Sequence, residues 1–294
     1  MDAVFFALLA GVIAGVVNAS TRLSLRRAPD VEAGSLVMTA AALVIAIAAV
    51  AALDRSIGGW SEIWPFLVIG VIVPGISSVL FVRAIRDAGP ARTGVLINTF
   101  PFFATVLAIG LLGEPLRVGL ALGTVMVVVG AVGLALTTGL PEIFRNNAYR
   151  LGLAAALTSA LLIGGRDAAV RWTGDGDEIS ARVATVLTLG AGALTMLAYL
   201  LYTSSERGPI TRVRRAAVPF SLLGILVGFG HLSIFEALER GRVTVVSPLI
   251  GTAALWTLVF SALLLGKSDR IDRRVVASAL LVAAGVALIG STRG

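Results

Sequence analysis

Long apolar runs broken by short charged clusters set the pattern of this chain. Reading apolar stretches between charges or turn signals gives ten, at 4–21, 33–53, 64–82, 93–112, 118–137, 151–169, 180–202, 216–235, 243–265 and 275–290. Most are 18 to 23 residues long, the length a helix needs to cross a hydrocarbon core about 30 Å thick. Such a core holds no water, so each run must close its backbone hydrogen bonds internally, which here means helices. The pattern therefore predicts an all-α membrane protein with ten transmembrane helices. Connections are short, and the longest polar ones, 138–150 and 203–215, leave no room for a further domain. The first lies near the midpoint, with five runs on either side.

That division invites a search for duplication, and the halves do align. A shift of 153 lays Gly75 on Gly228, Ser78 on His231, Arg83 on Glu236, Ala84 on Ala237 and Gly113 on Gly266. A shift of 144 lays Arg22 on Arg166 and Arg27 on Arg171, and a shift of 155 lays Gly130 on Gly285. Apolar sequences align easily, so the matched charges and glycines carry the weight. Residues 1–140 and 141–294 are thus expected to be two five-helix repeats. Five is odd, so the second repeat starts on the opposite membrane face. Inverted repeats are an architecture of alternating access.

Composition agrees with a lipid solvent: 57% of the 294 residues are hydrophobic and 14% charged, with mean hydropathy +0.95, against roughly 45 to 50% and 25% in soluble domains. The net charge of +7 does not point to nucleic acid, because the arginines stand singly or in pairs and form no basic stripe with interleaved aromatics. Absence of cysteine excludes disulfides, thiolate metal sites and cysteine nucleophiles. The N-terminal stretch lacks a positive n-region and reads as the first span rather than a cleaved signal. Most basic residues fall in the loops after odd-numbered spans, so the positive-inside rule puts the termini outside the cytoplasm.

Charges at the centre of a span cost roughly 2.5 to 3.5 kcal/mol, and no acid or base stands clearly at the middle of a predicted span. The candidates are therefore uncharged. His231, the only histidine, falls within the eighth span and suits a proton-linked switch, a hydrogen bond to a polar substrate, or a helix contact. Asn98 and Thr99 precede Pro101, whose ring removes a backbone donor and exposes a carbonyl, so a broken helix here could hold a substrate's charged group. Asn18 in the first span, Ser78, paired with His231 by the repeat, and Thr252 with the deep Trp256 complete the candidate substrate-binding set. Each also reads as an interhelical contact, worth about 0.6 kcal/mol on average for a hydrogen bond in a membrane. Arg83 and Glu236, opposite in sign at equivalent places, are candidate gating residues. Pro74, Pro101 and Pro248 mark kinks and hinges. The pairs Gly11 and Gly15, Gly119 and Gly123, and Gly224 and Gly228 let helices approach closely. The repeat shift leaves Arg182 opposite Met38.

The stretch from Ala84 to Leu116, AIRDAGPARTGVLINTFPFFATVLAIGLLGEPL, resembles the EamA-type branch of the drug/metabolite transporter superfamily. The third helix there ends in Ala, a charged turn and small residues, and the fourth ends in Leu-Gly-Glu, as Leu112, Gly113 and Glu114 do. The second copy keeps Ser247, Pro248 and Gly266 but carries Lys267 in place of the Glu, and Val17 to Ser20 stand where many members have Trp-Gly-Ser. The resemblance implies ten helices around a central cavity, with termini inside the cytoplasm. It implies a secondary transporter in a prokaryotic plasma membrane, commonly an exporter of amino acids or related compounds, not an enzyme. Expected partners are a small-molecule substrate, the lipid bilayer and a coupling ion, proton or sodium, the chain being a monomer or homodimer. No cofactor or metal is expected. Two other readings are a transporter of nucleotide sugars or cationic drugs, and a polytopic membrane enzyme such as an intramembrane hydrolase or lipid phosphatase. The enzyme would need convergent acids or a histidine cluster at one depth.

Overall fold

The computed structural model describes residues 3–53, 60–112, 118–135, 147–173, 179–204, 208–265 and 273–291. The helix-end motifs at Gly113, Glu114, Gly266 and Lys267 lie outside them. Among the described residues there is no strand. The first half holds α1 (Ala3–Arg27), α2 (Val31–Leu53), α3 (Trp60–Gly70), a π-helical segment (Val71–Ile76), α4 (Ser77–Ala88), α5 (Pro90–Ile97), α6 (Phe100–Leu112) and α7 (Val118–Ala135). The second holds α8 (Asn147–Thr173), α9 (Ala181–Thr203), α10 (Pro209–Arg240), α11 (Val243–Gly251), α12 (Ala253–Leu265) and α13 (Arg273–Ser291). Among the described residues, seven helical stretches are long and apolar enough to cross a membrane, from Ala3–Arg27 to Pro209–Arg240 along the chain, and Leu249–Leu264 is a shorter apolar one.

The polarity is distributed as lipid demands. Large apolar side chains such as Val4, Leu8, Val44, Val125, Leu194, Leu222 and Leu263 face outward, while Thr21, Ser35, Thr105, Thr185, Thr188 and Thr257 are buried. These hydroxyls need no water. Each donates to the carbonyl four residues back, as Thr21 does to Val17 O at 2.7 Å and Thr185 to Ala181 O at 2.7 Å. Soluble proteins of this size do not leave so much apolar surface bare.

Packing follows the duplication. Helix α1 lies on α10 and α12, and α8 lies on α4 and α6 in the corresponding way. Helix α2 packs on α10, and α9 packs on α3 and the π-helical segment, while α7 and α13 pair with each other. Equivalent helices run in opposite directions. At one end the start of α10 reaches the start of α2, where Arg212 holds Asp30, and the start of α8 meets the end of α4, Gly152 against Ala88. At the other end Gly241, closing α10, lies against Ala3 of α1, and Arg182 at the start of α9 holds Glu236 near the end of α10.

The α7 and α13 contact is reciprocal. A methyl group on Gly130 would fall 2.7 Å from Val282 Cγ2, and one on Gly285 would fall 3.0 Å from Val127 Cγ2. The register that pairs the two glycines also pairs the two valines, so each residue meets its partner's mate, as a two-fold axis requires.

Candidate functional site

Two helices that begin as single apolar runs break at equivalent places. Helix α5 ends at Ile97 and α6 begins at Phe100, while α11 ends at Gly251 and α12 begins at Ala253. At the first break Thr99 N–H donates to Leu96 O at 3.1 Å, its Oγ1 donates to the same oxygen at 2.7 Å, and Phe102 N–H donates to Thr99 O at 3.0 Å. At the second, Thr252 N–H donates to Leu249 O at 3.2 Å, its Oγ1 at 2.7 Å, and Leu255 N–H to Thr252 O at 2.9 Å. Each bond spans three residues instead of four, which shifts the ladder and leaves neighbouring carbonyls outside it. Thr99 and Thr252 are mates at a shift of 153. Pro101 sits just after the first break, where its missing N–H frees Ile97 O. Pro248 lies inside α11, four residues ahead of the second.

Other helices lean on these breaks. A methyl on Gly11 would stand 3.0 Å from Thr252 Oγ1 and 3.3 Å from Leu249 O and Ile250 O, so α1 rides directly over the second break. Gly164 of α8 does the same at the first, where a methyl would meet Phe100 O at 2.7 Å and Phe103 Cβ at 2.8 Å. Asn18 Nδ2 donates to Thr257 Oγ1 at 3.0 Å, and Gly94 of α5 lies against the same threonine. The two breaks touch through Gly251 and Pro101, where a methyl on the glycine would be 3.0 Å from Pro101 Cγ.

Of the sequence candidates, Asn18, Asn98, Thr99, Thr252, Pro101 and Pro248 thus sit on or beside the breaks. Asn98 is buried and spends its Nδ2 on Gly94 O at 2.5 Å. Trp256 is about one-third exposed (37%) and stacks with Phe260, centroids 6.3 Å apart. His231 is half-buried, with Nδ1 3.0 Å from Val227 O of its own helix. Ser78 offers its carbonyl to Ser35 Oγ at 3.2 Å. Neither is bonded to the break residues. Arg83 is exposed and lies 3.6 Å from Asp87, whereas Glu236 is buried between Arg182, at 2.8 Å, and Arg240.

The expectation was that no acid or base stands clearly at the middle of a span, and an ion pair is nonetheless buried toward the end of one. Helix α8 buries Arg166 and Asp167, at 6% and 0% exposure. Arg166 donates Nε and Nη2 to Asp167 Oδ1 at 3.0 and 2.6 Å, and Ser247 Oγ of α11 donates to Oδ2 at 2.7 Å. Both carboxylate oxygens are satisfied, which offsets the several kcal/mol per ion of desolvation. Sequence reading passed over Asp167 because its predicted span seemed to end there. The available signal was that the repeat register gives it Leu23 as its mate.

The pairing of Arg182 with Met38 is corrected. Asp30 caps α2 by accepting Ala33 N–H at 3.0 Å, and Ser180 caps α9 by accepting Val183 N–H at 3.3 Å. The caps fix the register between these helices at 150, which makes Glu32 the mate of Arg182. A uniformly apolar helix slides along its copy without penalty, whereas a cap occurs once per helix. Glu32 and Asp30 together hold Arg212, at 2.9 and 2.6 Å, on the rim of a vestibule of about 640 Å³ that also meets Arg86 and Thr211. Burial works against the ionised form of Asp30, but the Arg212 guanidinium and the Ala33 N–H outweigh it and hold its pKa below the ordinary 3.8.

Broken apolar helices on a duplicated frame, each propped by a small-residue helix from the other half, define a polytopic membrane protein of the transporter type. Residues 1–136 and 150–291 both match the EamA-like transporter family, and the chain belongs to that family. A solved crystal structure has the same fold, with a TM-score of 0.66 at 20% identity, covering 96% of this chain and 94% of that one. No curated protein gives a match.

Proposed function

We propose that the protein is a secondary transporter with ten membrane-crossing helices in two inverted five-helix repeats, 1–140 and 141–294. It exports a small metabolite of the amino-acid or related class by alternating access through a central cavity, across the plasma membrane of a prokaryotic cell. The observation that carries this reading is the equivalence of the breaks at Thr99 and Thr252. Carbonyls left outside a helical ladder at membrane depth are tolerated where they line a cavity or are buried in protein, and opposed breaks at a repeat interface are where substrates bind in carriers of this design. Asn18, Asn98, Thr99 and Thr252 line that site, with His231, Ser78 and Trp256 on its wall. Arg83 and Glu236 gate its two ends, and Pro101 and Pro248 give the hinges.

Energy comes from a proton or sodium gradient or from the gradient of the substrate itself. The test is flux in proteoliposomes loaded with a panel of radiolabelled amino acids and related metabolites, with and without an imposed proton or sodium gradient. Saturable flux of one compound, reduced in Thr99→Val and Asn98→Ala protein that still folds, is expected. Absence of flux over the whole panel overturns the substrate class.

A further inference from the structure

The two halves hold the same arginine differently. In the first half Arg22 donates Nη1 to Ile85 O at 3.0 Å and to Arg86 O at 2.9 Å. These carbonyls lie at the C-terminal end of α4, where a helix carries partial negative charge, and Ile85 O takes Arg22 in addition to the capping Gly89 N–H at 3.0 Å. The repeat places Arg166 where Arg22 stands, and Leu238 and Glu239, at the end of α10, where Ile85 and Arg86 stand. Arg166 is not on those carbonyls. It gives Nε and Nη2 to Asp167, and Asp167 is in turn held by Ser247. The first half has Leu23 and Gly94 at the places of Asp167 and Ser247, so nothing there competes with the helix end for Arg22.

We propose that Arg166 is a two-position arginine: held by Asp167 in this structure, and docked on the C-terminal carbonyls of α10 in the opposite conformation of the carrier. The inference rests on the transporter reading above. A guanidinium buried to this degree cannot be left without a counter-charge or acceptor, because breaking a buried pair is strongly destabilising. It must pass between discrete partners, which makes the choice two-state. Arg166 is not closed in on every side, since it lines a cleft of about 310 Å³ between the π-helical segment, α6 and α8, bounded by Ile69, Val73, Leu107 and Leu162. The nitrogen that Arg22 uses, Nη1, takes no part in the bonds of Arg166 to Asp167. In the last turn of α10, Arg240 donates to Glu236 O at 3.1 Å, one turn short of the Leu238 and Glu239 carbonyls. Asp167 and Ser247 are positioning residues that hold the arginine off the helix end, and they set how the carrier divides between its two states.

The chain has no cysteine, so a pair of spin labels can be placed without background. Labels at Trp172→Cys and Arg242→Cys, both exposed, report the spacing between the ends of α8 and α10 in proteoliposomes. Asp167→Asn is expected to move the distance distribution to shorter values as Arg166 docks. The shift should vanish when Arg166→Gln is added, a dependence that a merely structural role of Asp167 would not produce. Where Asp167→Asn does not fold, Asp167→Leu, which installs the first half's residue, carries the same test. An unchanged distribution in the folded single variant, or a shift that survives loss of Arg166, overturns the proposal. A shift as expected in a protein that moves no compound of the panel would retire the proposed substrate class and leave the switch standing. Flux with no shift would do the reverse.

Discussion

Asn18 and Thr257, 239 positions apart, are joined by a hydrogen bond of 3.0 Å that ties the first helix of one half to the broken helix of the other. Thr257 passes its own proton to Ala253 O at 2.8 Å, so its oxygen is free to accept from the asparagine. Replacing Asn18 with Ala removes one donor and leaves the threonine satisfied. The expected loss is about 0.6 kcal/mol, and no more than about 1.7 kcal/mol. Thermal unfolding of Asn18→Ala, Thr257→Val and the double variant checks it. The two losses should overlap rather than add, because they remove the same bond.

Thr99→Val and Thr252→Val keep the shape of the side chain and delete the hydroxyl that shares the carbonyl three residues back. Each should cost about 0.6 kcal/mol, roughly a threefold change in a conformational equilibrium. The double variant should lower flux more than either single one, with little change in the amount of folded protein. Equal flux in all three would mean that the breaks are shaped by the backbone alone.

Gly285→Ala is expected to destabilise by about 1 to 3 kcal/mol, because the new methyl would lie 2.7 Å from the Gly123 carbonyl oxygen, which is backbone and cannot turn aside. Gly130→Ala should cost less. Its nearest backbone contact, Ser278 O, stands at 3.0 Å rather than 2.7 Å, and the 2.7 Å contact is to the side-chain methyl Val282 Cγ2. Gly110→Ala, with nothing within 4 Å, should be neutral or better. The order of the three unfolding midpoints is the measurement.

Acid should weaken the link between the starts of α2 and α10. The folded pKa of Asp30 lies below 3.8, so the unfolded chain takes up its proton first as pH falls. The stabilisation is complete above about pH 4 and is lost as pH drops through the folded value. Asp30→Asn should lower the unfolding temperature at neutral pH and flatten its fall on the acid side. An unaltered acid limb in Asp30→Asn would assign that limb to other carboxylates.

Glu236→Gln leaves Arg182 and Arg240 with a neutral acceptor in a largely buried place. Hydrogen bonds to charged groups are worth about 1.5 to 3 kcal/mol, and a loss of that order in thermal unfolding is expected. Because the carboxylate joins the start of α9 to the end of α10, thiol labelling of a cysteine placed at Arg242 should quicken in the same variant.

Much of this protein is legible in its sequence. The lengths of the apolar runs, the absence of any alternative acceptor for their backbone in lipid, and the matched charges and glycines determined helices and duplication. Pro101 pointed to one of the two breaks, whereas Thr252 stood out only for its place beside Trp256, and the second break there emerged with the structure. Tertiary structure alone decided the partners. Asp167 meets a serine 80 residues away, Glu236 lies between two arginines, and the register of α2 against α9 follows from their caps. The reason is physical. In an apolar solvent every outward position reads alike, so periodicity fixes that a segment is a helix but neither its rotation nor its height against its neighbours. Those are set by close contact of small residues and by the few buried polar groups that must find each other, and both depend on where the other helices stand.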